Sequence, residues 1–196
     1  MQCLIRFWPF WAVLLPFSTL AHVSENSTTE YYDLRATAPL ALRYQLSLHG
    51  PKDHRGKRFH GMARSRLRWS YEKIVNRQGC RVVSVTVVLD QHYTLPNWVN
   101  KDQAHVKWQK QWARYHRALT AHEHQHGFFA RQTAHKIDQN LLNLSQPNCQ
   151  KLQLKVEKIT ADLMAELREK NRRYDALSWH GVWEGVIFPR LKKRKW

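Results

Sequence analysis

Two periodicities divide this chain, and each predicts its own kind of element. From Ala63 to Tyr71, apolar Leu67, Trp69 and Tyr71 interleave with basic Arg66 and Arg68, the period of two expected of a half-buried strand. Asn76 to Gly79 turns the chain, and Cys80 to Asp90 is rich in valine, with Val83, Val85 and Val87 on one face. These two strands predict an antiparallel hairpin, which Leu95-Pro96-Asn97-Trp98 should end, because a proline interrupts a ladder. The period then lengthens. Trp108, Trp112, Tyr115, Leu119, His122, His126, Phe129, Ile137 and Leu141 follow steps of three and four, with Thr133 the one break. That stripe predicts a long amphipathic helix over about 101–144. A second helix is expected over 152–172. Upstream, Glu30 to Ala36 reads as a first strand, Pro39 to His49 as a helix opened by its proline, and Gly50 to Gly56 as a loop. The fold class expected is α+β: a small antiparallel sheet packed on the long helix, plus a C-terminal helix.

The two ends break this pattern. Residues 1–21 carry one cation, Arg6, then the apolar run Phe7 to Phe17 and the small residues of Ser18-Thr19-Leu20-Ala21, with no acidic residue before Glu25. This is the signature of a secretory signal peptide cut after Ala21. The run is shorter than the ~20 residues of a spanning helix, and an uncleaved anchor is the competing reading. Residues 22–30 are polar and predict a flexible mature N-terminus. Residues 31–189 form one domain, and 190–196 a basic tail. The expected location is therefore periplasmic or secreted. Cys3 would leave with the signal, so Cys80 and Cys149 remain as a pair suited to a disulfide in an oxidising compartment. In the chain-entropy treatment such a bridge contributes about 4 kcal/mol. Free thiols or a thiolate metal site are the alternatives, and neither cysteine has a metal-ligand spacing such as C-x-x-C.

Charge narrows the partners more than the fold. Lys and Arg number 32 against 15 Asp and Glu, a formal net charge of +17. Such an excess favours anionic phospholipid, lipopolysaccharide, cell-wall polymer, nucleic acid or acidic substrates. The basic residues are scattered and no recognised nucleic-acid module appears, which ranks nucleic acid last.

Candidate chemistry sits on the long helix. His122-Glu123-x-x-His126 has the H-E-x-x-H spacing of zinc metalloproteases. Four residues apart, the two histidines lie on one helical face and can reach one Zn2+ ion. Glu123 sits about 100° round the helix, placed to act on a water as general base. His124 and His135 fall off the stripe and read as surface residues. Gly127 costs the helix about 1 kcal/mol relative to alanine, which reads either as local weakness or as room for close packing beside the metal. A catalytic zinc takes three protein ligands. The metzincin continuation is excluded by Phe129 and Gln132, so the third ligand comes from elsewhere. His180 is the first candidate and Asp175 the alternative, followed by Glu184 and by Glu166, which lies in a charged helix face. Tyr174 would either donate to a developing oxyanion or pack in the core.

Read together, these landmarks resemble a bacterial family of uncharacterised proteins described as predicted secreted zinc-dependent proteases. The similarity rests on Leu67-Arg68-Trp69-Ser70-Tyr71, Gly79-Cys80, Leu95-Pro96-x-Trp98, Trp112-x-x-Tyr115, the H-E-x-x-H helix, Cys149, Tyr174-Asp175 and His180-Gly181. It covers about 31–189. Ser178 and Glu184 depart from the usual threonine and glutamine and leave the ligands intact. The resemblance implies a secreted α+β protein with a zinc-binding helix, and no particular substrate. The expected function is a secreted or periplasmic zinc metallopeptidase acting on a peptide or protein, with anionic envelope or cell-wall material among the candidate substrates. The competing expectation is a non-catalytic cationic envelope-binding protein whose histidine helix is structural or merely binds metal.

Overall fold

A computed structural model describes residues 22–189. The predicted signal peptide, Cys3 and the basic tail lie outside the described residues. The chain runs β1 (His22–Leu34), α1 (Pro39–His49), β2 (Met62–Asn76), β3 (Gly79–Trp98), α2 (Val106–Leu141), β4 (Ser145–Gln146) and α3 (Cys149–Ser178). It is α+β, as its pattern of elements predicts.

β3 is the centre of the sheet, flanked by β1 on one side and β2 on the other, with the short β4 pairing at its start. The predicted β2–β3 hairpin is present and antiparallel. The sheet as a whole is mixed, because β1 pairs parallel to β3 from His22↔Thr86 to Leu34↔Trp98. This corrects the expectation of a flexible segment over 22–30. Its side chains are mostly exposed, so hydropathy carries no strand signal there. The backbone ladder holds it instead, helped by polar pairs such as Asn26 Nδ2 donating to Asp90 (3.0 Å) and Arg131 pairing with Glu25.

Two further departures have local causes. β3 runs through Pro96 to Trp98, where β2 no longer pairs: its last partner is Met62↔Thr94. From Leu95 onward β3 has a partner only in β1, a setting that tolerates proline. A register shift between Glu72 and Lys73 leaves Val83 unmatched in a β-bulge. The buried face therefore runs through Val82, Val85, Val87 and Leu89 rather than through Val83.

α2 buries the predicted stripe except for half-buried Trp108 and His126, and it also buries Thr133, whose hydroxyl donates to the Phe129 carbonyl. α3 starts three residues earlier than expected because the Asn148 side chain accepts from Lys151 N, capping the helix. It also ends later, at Ser178, since nothing in 172–178 breaks a helix. The predicted Cys80–Cys149 disulfide is present, with a Cα–Cα distance of 5.1 Å, and ties the start of β3 to the first residue of α3. Among the described residues no helix is long and apolar enough to cross a membrane.

The core has two parts. One gathers Val82, Val85, Val87 and Leu89 of β3 with Ile137, Leu141, Leu152 and Val156 of the helices. The other gathers Leu34, Leu42, Leu46, Trp98, Trp112, Tyr115 and Phe188. Between them along α2, from Leu119 to Phe129, lie the two motif histidines.

Candidate metal centre

His122, Glu123 and His126 occupy the middle of α2, where the flanking turns are locked by both cores. His122 and Glu123 are buried, at 4% and 6% exposure. The last turns of α3 pass over the same face and bring Asn171, Tyr174 and Asp175 to it. The Nε2 atoms of His122 and His126 converge on one oxygen, Asp175 Oδ1, at 3.2 and 3.1 Å. These three residues could together hold a metal ion. Asp175, the alternative third ligand by sequence, thus completes the group.

The other ring nitrogens explain why this arrangement calls for a cation. His122 Nδ1 lies 2.8 Å from Glu184 Oε2, and His126 Nδ1 lies 2.8 Å from Asn171 Oδ1. Both partners are acceptors, so each Nδ1 donates its hydrogen. A neutral imidazole has only one. Both Nε2 lone pairs then face a carboxylate oxygen at hydrogen-bonding distance, which is repulsive unless positive charge enters. Two extra protons or one shared metal ion would supply it. The electrostatics agree. Burial lowers the proton affinity of both rings, but hydrogen bonds with Asp175, Glu184 and Asn171 outweigh it and raise both. For Asp175, burial raises the carboxyl and the two histidines more than reverse this, holding it well below the usual carboxylate range.

Around this group the fold is specific. The Tyr174 ring stacks on His122 (4.9 Å between centroids, 22°) and meets His126 edge-on, while its hydroxyl donates to Glu184 Oε1 at 2.7 Å. Tyr174 therefore packs against the centre and ties Glu184 in place. Glu184 itself arrives on a 3-10 turn, Val182–Glu184, after a reversal through Trp179 (φ 51°), His180 (φ 50°) and Gly181 (φ 79°). Two successive non-glycine residues in the left-handed region are costly, and His180 N donating to the Asp175 carbonyl (2.8 Å) helps hold them. Gly181 is required twice over: its φ is positive, and a Cβ there would lie 2.6 Å from Val186 Cγ2 and 3.2 Å from His122 Cγ.

Glu123 faces the same cleft from below the edge of β2. Its carboxylate accepts the backbone N–H of Ala63, and burial raises its proton affinity against the pull of His126 and His122. Gly61 lies so close that a Cβ would be 3.0 Å from Glu123 Oε1. The cleft, about 640 Å3, is lined by His122, Glu123, His126, Asp175 and His180, by apolar Met62, Met164 and Val186, and by the cations Lys57, Arg58 and Arg168.

The remaining candidates separate cleanly. His180, first choice for the third ligand, lies outside the His122–His126–Asp175 group. Its side chain is 48% exposed, with Nδ1 3.7 Å from Asp175 Oδ1 and its ring against Phe59. Glu184 serves as the Nδ1 partner of His122. Glu166 pairs with Lys136 on the solvated face, as its surroundings in sequence suggest. His124 and His135 are exposed. Gly127 makes room for close packing, but against β3 rather than beside the metal group: a Cβ would lie 1.9 Å from the Tyr93 hydroxyl, and Gln91 Nε2 donates to the Gly127 carbonyl at 2.7 Å. Asn171 was not singled out by sequence. Its signal is the four-residue spacing from Asp175, visible only once α3 is extended to Ser178.

Comparison with known proteins adds a family and nothing finer. No curated protein and no solved structure matches the chain. Residues 29–181, which hold the whole His122–His126–Asp175 group, match the family described as "Bacterial protein of unknown function (DUF922)", and the chain belongs to that family.

Proposed function

We propose that this chain is an exported zinc-dependent metallopeptidase that hydrolyses peptide bonds with Glu123 as general base. The observation that carries the reading is the convergence of His122 Nε2, His126 Nε2 and Asp175 Oδ1, with buried Glu123 in the same cleft. Two imidazoles and one carboxylate, each imidazole tied through its far nitrogen, form a donor set that suits zinc and leaves a position free. Bound there, zinc would supply Lewis acidity toward a water and a substrate carbonyl.

The chain's own residues divide the remaining work. Glu123 takes a proton from the attacking water onto its carboxylate and returns it to the departing amine. Glu184 and Asn171 fix the histidine tautomers, and Tyr174 restrains Glu184. The apolar wall of Met62, Met164 and Val186 lowers the local dielectric, while Lys57, Arg58 and Arg168 favour a substrate with acidic side chains. A disulfide is compatible with an oxidising compartment.

The test joins metal content to turnover. Zinc-reconstituted protein is assayed by elemental analysis and incubated with a mixed peptide library read by mass spectrometry. Wild type should carry about one zinc per chain and cleave. Glu123→Gln should keep the zinc and lose at least about a hundredfold in rate. Cleavage that survives this substitution would remove Glu123 from the mechanism. Zinc binding without cleavage in either protein would instead favour a cationic envelope-binding protein with a structural metal.

A further inference from the structure

The reversal that delivers Glu184 also displays two tryptophans outward. Trp179 and Trp183 are 61% and 74% exposed, their rings stacked at 6.0 Å and 30°. Neither belongs to either core. Leu177 (69% exposed) and Ile187 (36%) fall in the same eleven residues. Large apolar side chains clustered in solvent mark a contact surface.

Charge indicates what it contacts. Arg173 is exposed one helical turn before Leu177, and 190–196 contributes Arg190, Lys192, Lys193, Arg194 and Lys195 together with Trp196. The acidic side chains of the same stretch, Asp175 and Glu184, are turned inward onto the histidines. The exposed side chains among the described residues of this stretch are therefore aromatic, aliphatic and, at Arg173, cationic, and the sequence that follows is strongly basic. That mixture suits the boundary of an anionic bilayer, where tryptophan sits at headgroup depth, aliphatic chains enter the acyl region and Lys or Arg meet phosphate. A sugar-binding platform has a different composition, with hydrogen-bonding side chains around a flat ring rather than leucine, isoleucine and cations.

We infer that the Leu177–Ile187 turn is a membrane-docking surface for anionic phospholipid, seated by Trp179 and Trp183 and assisted by the basic residues that follow. The turn that inserts is the one that holds Glu184 on His122, so docking would place the cleft at the lipid surface. Substrates would then be met there rather than in free solution. This inference stands independently of the peptidase reading.

Flotation with large unilamellar vesicles tests it. Full-length mature protein should float with vesicles of phosphatidylcholine containing about one-third phosphatidylglycerol, and at least about tenfold less with phosphatidylcholine alone. The double variant W179A/W183A should lose about tenfold in partitioning to the anionic vesicles. Because both rings are mainly in solvent, it should keep its circular dichroism and zinc content. A second variant, with Lys192, Lys193, Arg194 and Lys195 changed to glutamine, alters only residues outside the described ones. It should weaken binding and flatten its salt dependence. Equal flotation of wild type and W179A/W183A would overturn the docking surface, leaving bulk charge as the cause. So would tryptophan-dependent retention on insoluble cell-wall polysaccharide without flotation, or a dimer that W179A/W183A dissociates.

Discussion

The candidate metal centre is built from two arms of opposite character. The α2 arm is regular, buried and local: His122, Glu123 and His126 fall within five residues of one helix whose neighbouring turns are fixed by two cores. The other arm, Asn171 to Phe188, is assembled across 45 to 62 residues of intervening chain. It carries a helix end, a left-handed reversal and a 3-10 turn, and much of its surface faces solvent. The first arm needs only helix periodicity to be in place. The second needs the disulfide at one end of α3 and the reversal at the other, and under the proposed function a cation to reconcile Asp175 with two lone pairs. On that reading, rigid geometry and metal-dependent geometry meet at a single oxygen atom.

The sharpest way to break this comparison is to remove that oxygen's charge. Asp175→Asn should abolish stoichiometric zinc binding as completely as His126→Ala, while His180→Ala retains zinc with weakened affinity. Elemental analysis after gel filtration distinguishes them. Zinc kept by Asp175→Asn and lost by His180→Ala would move the third ligand to His180, whose Nδ1 is already near the same carboxylate.

Next in size is the effect of the groups that only orient the rings. Glu184→Ala and Asn171→Ala should each weaken zinc affinity by about ten- to a hundredfold, measured by competition with a chelating dye, with the secondary structure unchanged. Chelation of wild type should act on the same arm. With zinc gone, amide exchange should quicken over 171–188, while the first turns of α3 stay protected because the Cys80–Cys149 bridge still holds them. Uniform loosening of α2 and the second arm would show that the two are not mechanically distinct.

The same division explains what the sequence made legible. The H-E-x-x-H helix, its buried stripe and the β2–β3 hairpin are local patterns, and periodicity alone placed them. The choice between Asp175 and His180 depended on whether Tyr174 and Asp175 lay on α3 or beyond it, and no residue before Trp179 signals the stop. Trp179 and His180 adopt left-handed conformations that their side chains disfavour, so tertiary packing sets the reversal and composition cannot. Only the C-terminal end of β1, from Glu30, is legible in the sequence, and its first residues are not, for a related reason: they are held by backbone pairing to β3, and their exposed polar side chains leave no apolar alternation. Val83 shows the limit in miniature, since one bulge shifts the valine phase. Asn171 and Glu184 carry roles that appear only when their partners are known.

Two glycines give the finest contrast between the arms. Gly127 lies in α2, with helical backbone, and a methyl group there meets the Tyr93 hydroxyl and Gln91. Gly127→Ala gains helix propensity, about 1 kcal/mol, yet overpacks the α2–β3 contact by about 1–3 kcal/mol. The net result should be a modest loss of stability, with zinc affinity scarcely moved. Gly181→Ala faces a positive φ as well as contacts with Val186 and His122. Its strain falls on the turn that carries Glu184, and it should be relieved by letting that turn shift. Gly181→Ala should therefore lose more zinc affinity than its change in apo-protein unfolding accounts for, and Gly127→Ala should not. Denaturant unfolding with and without zinc separates the two. Parallel losses in both variants would mean that the reversal is no more coupled to the metal than the α2–β3 packing is.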